Sequence, residues 1–234
     1  MKRFWKDAAV LEVAGGWNVA LDGRPVKTQG GLPQIAPTRA LADAMAAEWD
    51  AQGDDIAPRS FPLRDLTDFA IDRVATGADD TVSKALAFAQ TDTLCYRSDP
   101  GTALSRRQDV QWEPILSAFE QREAVAMQRV ASIVHVEQSP ATISALRGRL
   151  EALDPFTLAG IFTLASLSAS LSIAMTVLVR GETGETAETL WNAANLEADI
   201  QAELWGQDAE ALAAREEKTA AFLKAAEFLD LLAG

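Results

Sequence analysis

Residues 17–28 read WNVALDGRPVKT, and this stretch decides the fold class of the N-terminal part of the chain. Two runs of strand-forming residues, 17–21 and 24–28, flank the dipeptide Asp22-Gly23. Because aspartate followed by glycine tolerates the positive φ angles of a tight turn, the stretch predicts a β-hairpin. Pro25 cannot donate to a strand ladder, so the second strand is expected at an edge of the sheet.

Helical patterns follow the hairpin. Thr38 is a candidate N-cap for a helix that buries Leu41, Met45 and Trp49 and ends near Gly53. Further helices are predicted over 66–74, 82–89 and 104–119, and the last of them is expected to kink or restart at Pro114. The β-branched run 125–137 predicts a strand that returns to the N-terminal sheet.

From residue 139 onward the sequence is predicted to be helical. Asp154 followed by Pro155 is typical of an N-cap and the first helical position. Residues 156–179 are uncharged and long enough to span a bilayer, but serine and threonine recur through them and no Lys/Arg cluster flanks them. We therefore predict a buried central helix and no membrane insertion.

These patterns together predict the α+β fold class. Residues 1–85 are expected to form a small N-terminal α+β domain built on the hairpin sheet, joined by the strand at 125–137. Residues 86–234 are expected to form a C-terminal α-helical bundle.

Composition excludes several classes of protein. The chain has 234 residues and a formal net charge of -13, whereas a nucleic-acid-binding protein needs a basic surface. It contains one cysteine and one histidine, too few for a disulfide framework or a zinc site of the usual ligands. The cysteine usage fits a reducing compartment, and the N-terminus lacks a signal-peptide or transit pattern, so we expect a bacterial cytoplasmic protein or an already processed one.

The residue requirements of common catalytic mechanisms are not met. The sequence has no phosphate-binding loop and no nucleophile elbow. His135 is interpreted as a strand histidine, and Cys95 as a small buried residue. We therefore expect no catalytic residues, no cofactor, no metal and no enzymatic activity.

One C-terminal stretch favours protein recognition. Acidic and amide side chains lead into a tryptophan at a predicted helix end, at Glu197, Asp199, Gln201, Glu203 and Trp205. Aromatic anchors beside carboxylates suit a protein interface. The alternative is that Trp205 belongs to the core and the acids are merely solvated.

Several segments, in this order along nearly the whole chain, resemble the ATP-twelve family of ATP synthase assembly chaperones. They are 3–6 (RFWK), 21–28 (LDGRPVKT), 47–53 (AEWDAQG), 70–74 (AIDRV), 91–97 (TDTLCYR), 153–156 (LDPF) and 205–206 (WG). The resemblance implies a protein that binds the unassembled alpha subunit of the catalytic head until the beta subunit replaces it, without hydrolysing anything. Two other functions remain open: a small carboxylate-dependent hydrolase and a structural adaptor of ATP synthase.

The resemblance also implies a binding site. The family carries functional acidic residues in its C-terminal helical segment, and Glu197, Asp199 and Gln201 fall on that stretch. Asp208 is added to the expected partner-binding residues, although Asp208-Ala209-Glu210 stands where the eukaryotic pattern has an acid and an aromatic. A monomer is expected, in the bacterial cytoplasm here and in the mitochondrial matrix for eukaryotic relatives.

Overall fold

The N-terminal region is built on an antiparallel sheet in this computed structural model, which describes residues 1–131, 134–206 and 209–234. The strands lie in the order β1 (Ala8–Val13), β2 (Gly16–Leu21) and β3 (Arg24–Pro25). The predicted hairpin is confirmed: Asp22 and Gly23 form the turn between β2 and β3, with φ angles of 49° and 77°.

Two helices follow the sheet. The α1 helix (Arg39–Asp50) packs on β1 and β2, and Thr38 caps it as predicted, its Oγ1 accepting from the Leu41 N–H at 3.2 Å. The α2 helix (Pro62–Phe69) continues into a π-helical turn (Ala70–Val74). Insertions of this kind in an α-helix are frequent at functional sites.

Further helices follow this small antiparallel sheet, so the α+β prediction is confirmed. They are α3 (Ala78–Gln90), α4 (Ala103–Glu123), α5 (Pro140–Glu151), α6 (Pro155–Ser168), α7 (Leu171–Leu178), α8 (Arg180–Thr183), α9 (Ala187–Ala194), α10 (Leu196–Trp205) and α11 (Ala209–Ala233). The α4 helix runs through Pro114 without a restart.

The residues group into two compact units. Unit 1 contains residues 1–78, 154–160 and 227–234, and unit 2 contains residues 79–153 and 161–226. Unit 1 therefore includes two late segments that the predicted domain 1–85 does not contain, and unit 2 begins at residue 79.

The apolar stretch 156–179 forms two helices, α6 and α7, so the prediction of one helix is wrong. Ala169 adopts a left-handed conformation with φ of 51°, and Ser170 then caps α7 by accepting from the Ile173 N–H at 3.1 Å. Residues 171–177 are buried, as predicted. Among the described residues, no helix is both long and apolar enough to cross a membrane.

A buried carboxylate fixes this break. Asp92 is fully buried, and its Oδ1 accepts from Ser170 Oγ at 2.7 Å and from Ser172 Oγ at 3.1 Å. The same side chain accepts from the N–H groups of Ser172 at 2.9 Å and Leu94 at 3.0 Å. Burial raises the pKa of Asp92 above its ordinary value, and these hydrogen bonds oppose that rise.

The strand predicted at 125–137 is not present in its described residues, 125–131 and 134–137; Ser132 and Ile133 lie outside the described residues. This prediction is wrong because backbone pairing in the described part of the run is limited to an isolated bridge between Val130 and Tyr96, and side chains take other backbone donors. The Met127 N–H donates to Glu120 at 2.6 Å, and the Gln128 N–H donates to Gln138 at 2.7 Å. The segment belongs to unit 2 and does not join the N-terminal sheet.

Gly160 of α6 allows close packing inside unit 1. A Cβ at this position would lie 2.5 Å from Cδ2 of Leu229, whose side chain is buried. We expect Gly160→Ala to lower the free energy of unfolding by about 1–3 kcal/mol, because overpacking outweighs the helix propensity that alanine adds.

The matched control is Gly148→Ala in α5, where an added Cβ meets nothing within 4 Å. We expect this variant to be more stable by roughly 1 kcal/mol. Urea denaturation of both variants measures the difference, and equal stabilisation of both would contradict the packing described for Gly160.

Candidate partner-binding surface

The predicted site lies on α10, and most of that helix is accessible. Leu196 is its buried residue, whereas Trp205 is 82% exposed and Leu204 is 68% exposed. The alternative that Trp205 belongs to the core is therefore wrong. We use the name α10 surface for Glu197, Asp199, Gln201, Glu203, Leu204 and Trp205.

Three acidic side chains of the α10 surface are held by neighbouring helices. Glu197 accepts from Gln108 Nε2 at 2.7 Å, and Glu203 forms an ion pair with Arg107 at 3.0 Å; both partners lie on α4. Asp199 forms an ion pair with Arg215 of α11 at 2.9 Å. These contacts fix the carboxylates in place while leaving their side chains partly accessible.

An aromatic cluster joins α9 to α11 beside α10. Trp191 packs against Phe222 with ring centroids 4.8 Å apart, and its Nε1 donates to Thr219 Oγ1 at 2.8 Å. Arg215, the partner of Asp199, lies over the Trp191 ring at 5.6 Å. Arg215 therefore links this cluster to α10 through its ion pair with Asp199.

The structure adds residues to the predicted partner-binding set and does not describe one of its members. Gln201 is exposed on α10, while Asp208 lies outside the described residues. Leu204 and Arg107 were not predicted. The adjacency of Leu204 to Trp205 is visible in the sequence, but the pairing of Arg107 with Glu203 joins residues far apart in the chain and needs the fold to reveal it.

The two residues weighed as catalytic candidates lie elsewhere. Cys95 is fully buried, as predicted, and burial raises the pKa of its thiol well above the ordinary range. His135 is exposed and lies outside any strand, where its Nδ1 is 2.7 Å from the hydroxyl of Tyr96. Within residues 1–131, 134–206 and 209–234, no group of three or more His, Cys, Asp or Glu could hold a metal ion.

Known proteins resemble this chain over its whole length. The crystal structure of Atp12 from Paracoccus denitrificans superposes with a TM-score of 0.91 at 33% identity, covering 99% of this chain and 98% of that one. A protein of Agrobacterium tumefaciens, named as a candidate chaperone, superposes with a TM-score of 0.92 at 35% identity, covering 99% of this chain and 86% of that one.

Sequence comparison agrees with the structural likeness. Protein atp12 of Schizosaccharomyces pombe, a mitochondrial protein, is 27% identical over 218 residues, which are 88% of this chain and 74% of that protein. The sequence model of the ATP12 chaperone protein family matches residues 2–120. The chain therefore belongs to the ATP12 family, the ATP synthase assembly chaperones that its sequence motifs resemble.

Proposed function

We propose that this chain binds the unassembled alpha subunit of the ATP synthase catalytic head and releases it when the beta subunit takes its place. Membership of the ATP12 family supports a role in assembly. The observation that carries the proposal further is the α10 surface, where a tryptophan that is 82% exposed stands beside fixed carboxylates.

The physical chemistry of assembly explains why such a surface is useful. A subunit that must later bury a large apolar face aggregates easily while that face is exposed. Trp205 and Leu204 offer apolar area that can cover part of such a face. The surrounding carboxylates orient the bound subunit through charge complementarity. A chaperone complex of moderate affinity is then displaced when the alpha subunit forms its larger, final interface with the beta subunit.

The oligomeric state and the cellular location of the chain are part of the same proposal. We infer a monomer in the bacterial cytoplasm, and the close likeness to proteins of Paracoccus denitrificans and Agrobacterium tumefaciens supports a bacterial chaperone. No catalytic step enters the proposal, because holding and releasing a subunit needs binding energy alone.

A pull-down from bacterial lysate tests the proposal. Tagged protein is used to retain partners, which are then identified by mass spectrometry and assayed for assembled ATP synthase. We expect free alpha subunit without beta subunit. Recovery of the complete ATP synthase would instead indicate a structural adaptor, and recovery of neither would contradict the proposal.

A further inference from the structure

A long groove crosses unit 1 beside residues 24–30, away from α10 in the sequence. Three cavities of about 510, 370 and 660 Å³ follow one another along it. Neighbouring cavities share lining residues: Lys27 lines the first and second, and Asp68 lines the second and third. The three cavities therefore adjoin one another, and we call them together the unit 1 groove.

The first two cavities have aromatic walls. Phe4 is 68% exposed and lies edge-on to Trp5, with ring centroids 5.0 Å apart. Trp5 lies edge-on to Trp49 at 4.9 Å, and both tryptophans are buried beneath the groove. An exposed aromatic ring at the mouth of a packed aromatic cluster is typical of a binding surface.

The two end cavities of the unit 1 groove differ in the sign of their charge. Arg24 and Lys27 line the first cavity. The second is mixed: Arg64 and Asp68 both line it, and Arg64 forms an ion pair with Asp65 at 2.6 Å. Acidic side chains line the third: Asp65, Asp68 and Asp72. Asp22 and Arg73 are single opposite charges at the two ends. A basic end is unusual in a chain whose net charge is -13.

The acidic end is held in a defined geometry. Asp72 accepts from Thr28 Oγ1 at 2.6 Å and from the Gly30 N–H at 2.8 Å. Asp68 is 5% exposed and accepts from Gln34 Nε2 at 2.5 Å, and burial raises its pKa. Residues fixed in this way are preorganised for a ligand and lose little freedom when it binds.

We propose that the unit 1 groove binds an extended segment of the client protein, with apolar residues in its middle, acidic residues near Arg24 and Lys27, and basic residues near Asp65 and Asp72. The inference rests on the proposed function, which supplies the client. An extended peptide fits because only a long ligand can meet opposite charges at the two ends of three successive cavities.

Site-directed photo-crosslinking tests where the client lies. A cysteine-reactive photoprobe is attached to Lys27→Cys in the groove, and the native Cys95 does not compete because it is fully buried. The control carries the probe at Lys84→Cys on α3, an exposed position of unit 2. Purified alpha subunit is added, and crosslinked peptides are identified by mass spectrometry.

We expect the probe at position 27 to label one segment of the alpha subunit with the stated order of charges, and the probe at position 84 to leave that segment unlabelled. Labelling of a second copy of this chain, equal labelling from both positions, or no labelling in a mixture that does form the complex would overturn the inference.

Charge reversal gives an independent measurement. Arg24→Glu combined with Lys27→Glu is expected to weaken binding of the alpha subunit about tenfold, since both cations face the acidic end of the segment. The control, Lys84→Glu combined with Lys218→Glu, changes the net charge equally at exposed positions of unit 2 and is expected to change affinity less than twofold.

The outcomes separate the two proposals. Equal affinities of the groove variant and the wild type would overturn the groove inference and leave the proposed function intact. Absence of any binding by the wild-type protein would overturn the proposed function, and this inference with it.

Discussion

Trp205→Ala is expected to lower the affinity for the alpha subunit roughly thirtyfold or more. Central aromatic anchors at interfaces typically contribute about 2 kcal/mol or more on truncation to alanine, and about 1.4 kcal/mol corresponds to a factor of ten. Because Trp205 is 82% exposed in the free chain, its removal leaves little packing to lose. Stability is therefore expected to change by less than about 0.5 kcal/mol.

Isothermal titration calorimetry with purified alpha subunit measures this effect, and circular dichroism checks that the variant is folded. Val110→Ala is the matched control, since Val110 is a 74% exposed apolar residue on α4 that lies outside the α10 surface. A folded Trp205→Ala protein that binds as tightly as the control would exclude the α10 surface as the main contact.

Asp92→Ala is expected to destabilise the protein by about 3 kcal/mol or more. The substitution removes the acceptor of several hydrogen-bond donors, among them the N–H of Leu94 and the N–H and Oγ of Ser172. Each buried donor without an acceptor costs about 1–3 kcal/mol. Thermal unfolding should therefore begin roughly 10 °C lower than in the wild type.

The control for Asp92 is Asp80→Ala, which removes an exposed carboxylate paired with Lys84 at 2.7 Å. We expect a change within about 0.5 kcal/mol for this variant. Equal melting temperatures of the two variants would contradict a structural role for Asp92 at the break between α6 and α7.

The pH dependence of the Asp92 variant has a defined sign. Burial raises the pKa of Asp92 in the folded protein, so its contribution to stability is complete below the unfolded pKa and falls as pH rises through the folded pKa. The difference in unfolding free energy between wild type and Asp92→Ala is therefore expected to grow as pH is lowered from neutral toward the unfolded pKa of aspartate, about 3.9. A difference that shrinks over this range would contradict the raised pKa.

Local signals in the sequence predicted those elements that local chemistry decides. Asp22-Gly23 predicted the hairpin because a tight turn with positive φ angles needs such residues. Thr38 predicted the start of α1 for a similar local reason. The edge strand β1 escaped prediction because residues 8–13 read AAVLEV, a run with no regular alternation of polar and apolar residues.

Long-range contacts decided the elements that sequence reasoning missed. Nothing in Ser168-Ala169-Ser170 resembles a Gly/Pro helix break, and the break depends on Asp92, which is far away in the sequence. The run 125–137 has strand propensity, but Glu120 and Gln138 take the backbone donors of Met127 and Gln128. Propensity alone cannot foresee such partners.

The candidate site was predictable only in part, because its exposure also depends on long-range contacts. The spacing of acids before Trp205 marked α10, but the exposure of that tryptophan depends on how α10 packs against α4 and α11. The unit 1 groove was not visible in the sequence, since its basic and acidic residues come from separate segments that meet only in the fold.

The most direct test of the central claim is native mass spectrometry of the purified chain mixed with alpha subunit, before and after addition of beta subunit. We predict a one-to-one complex of this chain with alpha, which disappears as beta is added and assembled alpha–beta species form. Absence of a complex with alpha, or a complex that retains this chain after assembly, would contradict the account.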